Sequence, residues 1–450
     1  MPGGPYLVVG LARSGQAAAR LLAARGEAVI GCDSGSPGGA LELAGAGVEV
    51  HLETDGEDLL DRARAVVKSP GVPRRSPAVA AALGRGTPIL GELELAWRLL
   101  PNRFVAVTGT NGKTTVSELL GHIWRRAGLP VAVAGNVGTP LATLVGESDP
   151  AATVICECSS FQLEDAEAFA PEAGLLLNVT PDHLDRHLDF DDYRRAKLRL
   201  FAHQRPDDVC VYNASDPALA GVALGGRGRR VAFCGPGAPA AADGCRAAVG
   251  EAAIELGGEP LIALDRLALP GPHNAENAAA TAAVADVIGI DRDRIAAALA
   301  DFPGVPHRLE RVAERDGVAY VNDSKATNVA AAAAALRSFE RGTVRAILGG
   351  SVKGDGFAGL AAPVAERCAA CYLIGAAAEA IDRDLRPAWE RGVARRRCDG
   401  LAAAVAAAAA DSRAGDVVLL APACASFDAY RDYEQRGEHF RALVAELLAG

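Results

Sequence analysis

The sequence predicts an α/β protein with three domains, each built around a mostly parallel sheet. Short apolar runs rich in β-branched residues alternate with helical stretches along most of the chain, as is typical of strand–helix–strand units. A chain of 450 residues is long enough for about three domains. The helix breakers Pro303, Gly304 and Pro306 mark a boundary, so we predict domains at residues 1–91, 92–305 and 306–450.

The first domain is predicted to be a Rossmann-like unit. Its buried parallel strands are expected at Tyr6–Val9, Ala28–Cys32 and Ala65–Val67. The turn after the first strand, GLARSG, is similar to a dinucleotide-binding fingerprint, but Ala12 replaces its second glycine, and Asp33 closes the second strand. An NAD site stays open as an interpretation. The methyl group of Ala12 leaves less room for a pyrophosphate to approach the backbone, and no later motif in the sequence indicates hydride transfer. Another nucleoside diphosphate, such as UDP, is therefore favoured.

The central domain contains a phosphate-binding loop, which predicts a P-loop ATPase-type α/β unit. The stretch TGTNGKTT, Thr108–Thr115, follows the apolar run Phe104–Val107 and precedes a helix that is expected to start at Lys113. Glycines let backbone N–H groups turn toward a polyphosphate, Lys113 can reach the terminal phosphates, and Thr114 offers a hydroxyl to magnesium. The general pattern places a glycine where this chain has Val107, which leaves a simple glycine turn before a helix as the alternative.

Two further strand ends in the central domain carry groups suited to a metal ion. Glu157 follows the strand predicted at Thr153–Cys156, at the edge where a doubly wound sheet exposes its ligand-facing residues. The end of the strand predicted at Gly174–Val179 and the TPDHLDRH stretch after it bring Asn178, Thr180, Asp182 and His183 to the same edge. His183 and His187 have the spacing of a helical zinc pair, but the missing glutamate between them argues against a metalloprotease.

The third domain is predicted to be Rossmann-like again, with strands at Val318–Val321, Val344–Leu348, Cys371–Ile374 and Val417–Leu420 and a closing helix from Tyr433. The stretch NDSKATN places polar side chains at a strand end, and GGSVKGDGF is a second glycine-rich loop with a lysine. Two such loops in one domain predict a carboxylate or phosphate ligand.

Composition restricts the class of protein. The formal net charge of −10 argues against a nucleic-acid surface, and no apolar stretch approaches the ~20 residues of a membrane span, so we expect a cytoplasmic protein. The ten cysteines show no paired metal-type spacing, so we expect buried thiols in a reducing compartment rather than a disulfide framework. Cys156 and Cys158 share one strand face, where packing is favoured and zinc stays open.

Several motifs together resemble the Mur ligase family. They occur in the family's order along nearly the whole chain: TGTNGKTT, CECSSFQL, TPDHLDRH, YRRAKLRLF, HNAENAAA, HRLE, NDSKATN and PACASFDAYRDYEQRGEHF. GLARSG, SPGVP and the EQRGEHF ending are most similar to the members that act on UDP-N-acetylmuramoyl-L-alanine and D-glutamate. The resemblance implies an ADP-forming amide ligase of cytoplasmic peptidoglycan synthesis, working through an acyl phosphate, with no nucleic-acid partner and a monomeric state.

The same resemblance implies a set of site residues. ATP would lie on Gly109, Thr110, Asn111, Gly112, Lys113, Thr114 and Thr115, with adenosine on Asn274, Asn277, His307, Arg308 and Asp323. Two magnesium ions would be held by Thr114 and Glu157 and by His183 and a carbamylated Lys197, with Lys113, His183 and Lys197 as catalytic residues. The UDP part would meet Ala12, Arg13, Ser14, Asp33 and Ser34, with Ser69 and Asn136 nearer the sugar. D-glutamate would meet Thr327, Lys353, Ser426, Phe427 and Tyr433.

Three other functions stay open at this point. A related amide ligase such as folylpolyglutamate synthase would share the ATP-binding domain but not the UDP-binding first domain. A dehydrogenase would need an NAD site between Gly10 and Asp33. A UDP-sensing regulatory protein would bind the nucleotide without turnover. The chain also has Gly356 before Phe357, where the resemblance predicts an aspartate.

Overall fold

The computed structural model describes residues 1–183, 186–237, 244–269, 271–351 and 356–449. The chain divides into two compact units, Met1–Pro303 and Gly304–Gly450. The first unit contains two sheets and the second unit contains one. The three sheets and their flanking helices confirm the predicted α/β fold with three sheet-centred parts.

The first sheet has five parallel strands in the order β3-β2-β1-β4-β5, a Rossmann-like arrangement. Its strands and helices are β1 Tyr6–Val9, α1 Arg13–Ala24, β2 Val29–Asp33, β3 Glu49–Leu52, β4 Ala65–Lys68, α2 Pro77–Arg85, β5 Ile89–Gly91 and α3 Glu92–Leu99. The sequence predicts β1, β2 and β4 from their apolar runs but misses β3 and β5. Both are short, and β3 is at the sheet edge with no fully buried residue, so it lacks the apolar run that reveals a strand.

The second sheet has nine strands in the order β14-β13-β12-β11-β10-β9-β6-β8-β7. Its elements are β6 Arg103–Thr108, α4 Lys113–Arg126, β7 Val131–Gly135, β8 Thr153–Glu157, α5 Ser160–Glu164, β9 Ala173–Leu176, α6 Phe190–Leu198, β10 Val209–Asn213, β11 Arg229–Cys234, β12 Ala247–Val249, β13 Ala253–Leu256, β14 Glu259–Ala263, α7 Pro272–Val287 and α8 Arg292–Asp301. The strand β6 lies between β8 and β9, parallel to both. The segments that follow these three strands therefore share one edge of the sheet.

The sheet of the second unit has six strands in the order β15-β16-β20-β17-β18-β19. Its elements are β15 Glu310–Arg315, β16 Val318–Asn322, α9 Val329–Arg337, β17 Val344–Gly349, α10 Ala361–Arg367, β18 Cys368–Ile374, α11 Ala378–Asp384, α12 Arg386–Trp389, β19 Ala394–Arg397, α13 Leu401–Ala410, β20 Val417–Leu420 and α14 Tyr433–Ala449. Among the described strands of this sheet, only β15 is antiparallel to its neighbour. The sequence misses β15 and β19, the two edge strands, because charged residues interrupt their apolar pattern.

The prediction that the cysteines are unpaired thiols is wrong for Cys234 and Cys245, which form a disulfide with their Cα atoms 6.1 Å apart. Cys234 ends β11 and Cys245 lies two residues before β12, and the two are close because the short β12 pairs with the last residues of β11, with Ala247 opposite Phe233. The other eight cysteines are unpaired, and all except Cys398 are buried. None of the helices in the described ranges has the length and apolar character that crossing a membrane requires.

Candidate active site

The phosphate-binding loop lies between β6 and α4, as the sequence predicts. Gly112, the residue before α4, has a φ of 86°, which favours glycine. A Cβ atom at Gly112 would also lie 2.5 Å from Asn277 Oδ1, so both the backbone angle and the neighbouring side chain require glycine there. The first N–H groups of α4 lack partners within the helix and carry its positive dipole end, which suits a polyphosphate.

The side chain of Asn178 fixes the backbone of this loop. Asn178 Oδ1 accepts hydrogen bonds from Thr110 N at 3.1 Å and Asn111 N at 2.8 Å, and its Nδ2 donates to Asn111 O at 3.2 Å. The Thr110 hydroxyl also lies 3.1 Å from the Tyr193 hydroxyl. The loop is therefore held from the segment after β9 and from α6. Sequence reasoning places Asn178 at the strand end but assigns it no contact with the loop.

Two lysines converge on one carbonyl oxygen in the loop. Lys113 Nζ donates to Gly109 O at 2.9 Å and to Thr110 O at 2.9 Å, and Lys197 Nζ donates to Gly109 O at 2.7 Å. Lys197 projects from α6, is only 1% exposed and lies 4.4 Å from the centre of the Tyr193 ring. Burial, followed by the neighbouring charge of Lys113, lowers the pKa of Lys197 to about 6. An amine with this pKa is mostly neutral at pH 7, when it can act as a nucleophile.

Glu157 lies at the end of β8, where the sequence predicts a metal ligand. Its carboxylate is 3% exposed, and Oε1 accepts a hydrogen bond from Asn136 Nδ2 at 3.0 Å. Asn136 N also donates to Glu157 O at 2.9 Å, so the two predicted site residues are in contact. No group of three or more His, Cys, Asp or Glu side chains suited to a metal occurs among the described residues. One carboxylate with the Thr114 hydroxyl fits Mg²⁺, which takes most of its ligands from phosphates and water.

His183 lies beside two aromatic rings, one of which belongs to Tyr193, the residue that contacts Thr110 of the phosphate-binding loop. Its φ is 54°, unusual for a residue with a side chain, and its side chain is 48% exposed. The ring lies 5.0 Å from that of Phe161 and 6.3 Å from that of Tyr193. His187, by contrast, is buried, contacts Ser160 Oγ at 3.0 Å and stacks on Phe161. His187 therefore has a packing role, and the exposed His183 is the imidazole available to a ligand.

Asn274 and Asn277 lie on the first turns of α7, beside the phosphate-binding loop. Their side chains contact each other at 3.5 Å. Together with Thr115 and Phe302 they line a small cavity that also includes Leu119, Leu267, Leu269, Ala278 and Leu299. The cavity has a volume of about 10 Å³, which is room for about one water molecule, so the adenosine contact of Asn274 and Asn277 stays a prediction.

The predicted UDP site is a set of loops at the carboxyl edge of the first sheet. Asp33 accepts hydrogen bonds from Leu11 N at 2.6 Å and Gly35 N at 2.8 Å. Ala12 and Ser34 are the neighbours of these residues in the two turns, and both are exposed. Ser14 is half-buried in the first turn of α1. Arg13 Nη2 donates to Gly138 O at 2.7 Å and thereby connects the GLARSG turn with the loop that contains Asn136. Ser69, which follows β4, is buried.

In the second unit, predicted adenosine residues gather where β16 ends. Asp323 is 5% exposed and accepts a hydrogen bond from Leu309 N at 3.1 Å, and burial raises its pKa to about 6. His307 has a φ of 61° and contacts Asn322 Nδ2 at 3.0 Å. Burial, followed by the charge of Arg441, lowers the pKa of His307. Arg308, the residue between His307 and Leu309, is exposed.

The predicted D-glutamate residues differ in their surroundings. Ser426 is 2% exposed, whereas the adjacent Phe427 is 65% exposed. Tyr433 begins α14, with its ring 6.2 Å from that of His307, and Thr327 N donates to Lys325 O at 2.8 Å. Lys353 lies outside the described residues.

A buried arginine that sequence reasoning misses connects the loops after β16 and β20. Arg436, on α14, is 1% exposed and donates to Ser324 Oγ at 3.0 Å, Ser324 O at 2.9 Å, Cys424 O at 3.1 Å and Ala425 O at 3.3 Å. Burial lowers its pKa to about 10. The EQRGEHF motif contains this arginine, but a motif alone does not show that the side chain points inward.

Comparison with known proteins assigns the family. Models of the Mur ligase MurD-like N-terminal domain, the Mur ligase middle domain and the Mur ligase glutamate ligase domain match residues 5–91, 107–285 and 307–424. The chain belongs to the Mur ligase family. Its enzyme class, an ATP-dependent, ADP-forming ligase, follows from this membership, as the sequence predicts, and members generally use Mg²⁺.

Two curated relatives of this Mur ligase align along almost their whole length. A protein of Pelotomaculum thermopropionicum is 42% identical, over 99% of this chain and 98% of the relative. One of Anaeromyxobacter dehalogenans is 45% identical, over 98% of this chain and 97% of the relative. Both are named UDP-N-acetylmuramoylalanine–D-glutamate ligase.

Solved structures share the fold at low identity. The structure of UDP-N-acetylmuramate-alanine ligase MurC from Thermotoga maritima has a TM-score of 0.61 at 19% identity and covers 99% of both chains. MurF from Acinetobacter baumannii has a TM-score of 0.57 at 18% identity, covering 86% of this chain and 85% of that chain. At this identity the similarity concerns the fold alone.

Proposed function

We propose that this protein joins D-glutamate to UDP-N-acetylmuramoyl-L-alanine with cleavage of ATP to ADP and phosphate, in cytoplasmic peptidoglycan synthesis. The observation that carries this function is the alignment with relatives of that name, at 42% and 45% identity along 98–99% of the chain. The match of residues 5–91 to a MurD-like N-terminal domain favours it over a folylpolyglutamate synthase, which has the ATP-binding part in common but a different substrate.

The chemistry has to overcome the poor leaving-group character of a carboxylate oxygen. In the first step a carboxylate oxygen of the alanine attacks the γ-phosphorus, and the bond from that phosphorus to the β-γ bridging oxygen breaks, giving an acyl phosphate and ADP. The amine of D-glutamate then attacks the acyl carbon. Collapse of the tetrahedral adduct expels phosphate, the nitrogen loses a proton, and an amide remains.

The residues of the first unit have roles that this chemistry requires. Lys113 and the N–H groups of the loop neutralise and orient the phosphates, because phosphoryl transfer depends on positioning and electrostatic stabilisation more than on covalent help. Thr114 and Glu157 would hold one Mg²⁺, and His183 with Lys197 a second. Bound there, magnesium supplies positive charge to the phosphate oxygens.

Lys197 takes part through a carbamate in this proposal. Its neutral amine would attack carbon dioxide and lose a proton, which converts a cation into a carboxylate-like anion. The pKa of about 6 and the burial beside Lys113 support this role, because only the neutral amine reacts. An anion there would also be attracted to Lys113 and to a metal ion, whereas an ammonium would repel both.

We assign substrates to domains as the sequence predicts. Residues 1–91 would bind the UDP part through Ala12, Arg13, Ser14, Asp33 and Ser34, residues 92–305 ATP, and residues 306–450 D-glutamate. Ser69 and Asn136 would face the sugar. The second-unit residues His307, Arg308 and Asp323 would contact adenosine, and Thr327, Lys353, Ser426, Phe427 and Tyr433 would contact D-glutamate. We expect a monomer.

A substrate-omission assay tests this function. Purified protein is mixed with ATP, MgCl₂, UDP-N-acetylmuramoyl-L-alanine and D-glutamate, and ADP, phosphate and the conjugate are measured. We expect one conjugate per ADP, and no conjugate when any reactant is omitted. Parallel reactions with L-glutamate and with a folate plus glutamate separate the related ligases. If only the folate reaction proceeds, or if no mixture gives ADP, the proposed function is wrong.

A further inference from the structure

A fully buried ion pair joins the first sheet to the second. Lys68, the last residue of β4, is 0% exposed, and its Nζ lies 2.7 Å from Oδ2 of Asp165, whose side chain is 2% exposed. The same Nζ donates to Val72 O at 2.9 Å. One ammonium group therefore binds a carboxylate beside the second sheet and also closes the turn that follows β4.

The turn that Lys68 closes is the one that contains Ser69. Val72 N donates to Ser69 O at 3.0 Å, which makes Ser69–Val72 a tight turn. This turn packs on Gly10, because a Cβ atom there would lie 2.5 Å from Val72 Cγ2 and 2.9 Å from Ser69 Cβ. The Ser69–Val72 turn is thus in contact with the start of the GLARSG turn, and displacement of one would disturb the other.

Asp165 connects this turn with the strand that carries Glu157. It directly follows α5, a short helix whose start is fixed by a capping box between Ser159 and Gln162. This helix begins three residues after Glu157 and ends directly before Asp165, so one short, capped helix connects the carboxylate at the end of β8 with the carboxylate that binds Lys68.

A second cation holds the same turn independently. Arg186 Nη1 donates to Gly71 O at 3.1 Å and Nη2 to Pro70 O at 3.5 Å. Its guanidinium lies 4.4 Å from the centre of the Phe161 ring, which also contacts His183. Two cationic side chains from different parts of the chain therefore bind carbonyl oxygens of one turn.

We propose that Lys68 and Asp165 are positioning residues, whose buried ion pair fixes the Ser69–Val72 turn and so sets where the sugar-linked substrate binds relative to Glu157. Removing two charges from water opposes folding, and apolar pairs of similar size often stabilise a protein as well or better. Stability alone therefore does not account for a buried pair at this place. The need for a fixed turn accounts for the buried pair, because misplacement of a substrate by about 1 Å lowers the rate strongly.

This inference rests on the proposed function, so the test uses the full chain and two separate readouts. The main variant is K68M/D165L, which removes both buried charges together. Arg74, whose Nε lies 3.7 Å from Asp165 Oδ1, also loses this partner, but its side chain is 43% exposed to water. D165N, which keeps the shape of the side chain, is the second variant. The matched control is D61N, which removes an exposed ion pair between Asp61 and Arg85, the last residue of α2. Steady-state rates are measured at varied UDP-N-acetylmuramoyl-L-alanine and at varied ATP, and binding of the UDP compound is measured by calorimetry without ATP.

We expect K68M/D165L to melt near the wild-type temperature while its KM and Kd for UDP-N-acetylmuramoyl-L-alanine rise by about tenfold, with KM for ATP changed by less than about threefold. D61N should match the wild type in each measurement. If the double variant does not fold, D165N has to show the same selective loss. A changed melting temperature with unchanged Kd would mean that the pair is merely structural and would overturn the inference. If the wild type shows no turnover, the proposed function is wrong. The Kd for the UDP compound, measured by calorimetry in the wild type and the variants, would still show whether the ion pair positions the turn.

Discussion

Lys113 and Lys197 donate hydrogen bonds to the same acceptor, the carbonyl oxygen of Gly109, at 2.9 and 2.7 Å. Lys197 is buried, and its burial together with the neighbouring charge of Lys113 lowers the pKa of Lys197 to about 6. Lys197 is therefore mostly neutral at pH 7 and lies beside the lysine that we assign to the phosphates.

Replacement of Lys197 by alanine should abolish turnover, since the proposed carbamate is lost. Short-chain carboxylates such as acetate or formate should restore part of the activity, because they can place an anion in the space that the side chain leaves. Phosphate release is measured with and without each salt. R195A, which changes an exposed residue of the same helix, serves as the control. A folded Lys197→Ala protein that no carboxylate rescues would argue against the carbamate.

Replacement of Asn178 by alanine should weaken ATP binding. The N–H groups of Thr110 and Asn111 would lose their acceptor, and the loop would lose its fixed shape at a cost of about 1–3 kcal/mol. We expect KM for ATP to rise by about tenfold or more, with KM for D-glutamate unchanged. Thr180→Val, on the same segment, keeps its backbone contact with Thr110 and should behave as the wild type. If the KM for ATP of Asn178→Ala equals that of both Thr180→Val and the wild type, the Asn178 contact is not needed for ATP binding.

Magnesium dependence should shift when Glu157 is changed. Chelation by EDTA should stop phosphate release, and added Mg²⁺ should restore it. Glu157→Gln keeps the size of the side chain and an oxygen for Asn136 but removes the negative charge. The Mg²⁺ concentration for half-maximal rate should therefore rise by about tenfold or more. An unchanged magnesium titration would exclude Glu157 as a ligand.

Glu92 should make stability depend on pH. Its side chain is 1% exposed and accepts a hydrogen bond from Ala142 N at 2.8 Å, and burial raises its pKa to about 7. In the unfolded chain the pKa of the Glu92 carboxyl is about 4.3, so the carboxyl ionises at a lower pH there than in the folded protein. The folded state therefore loses stability as the pH rises from about 4.3 to 7. Glu92→Gln should therefore raise the free energy of unfolding by about 1–3 kcal/mol near pH 8 and by almost nothing near pH 4.

Thermal melts of Glu92→Gln at both pH values measure this effect. Glu147→Gln, which changes an exposed carboxylate close in sequence to Ala142, is the control and should leave the melting temperature unchanged at both pH values. A gain for Glu92→Gln that is equal at both pH values would mean that ionisation of Glu92 is not its cause.

The sequence by itself determined the class of fold and the position of most reactive groups along the chain. Apolar runs gave β1, β6 and β20 nearly to the residue, and glycine spacing gave the phosphate-binding loop, because these signals are local: an apolar strand or a tight turn depends on its own side chains. The sequence did not predict edge strands such as β3 and β19, since their residues are exposed or charged.

Only the tertiary structure decided which groups meet. Lys197 looks like a surface lysine in a basic helix, yet folding buries it against Gly109, 88 residues earlier in the chain. Asn178 binds the loop across 67 residues and Lys68 pairs with Asp165 across 97 (165 − 68). A pKa or a fixed turn depends on charges and burial contributed by distant segments, and no local pattern encodes that environment.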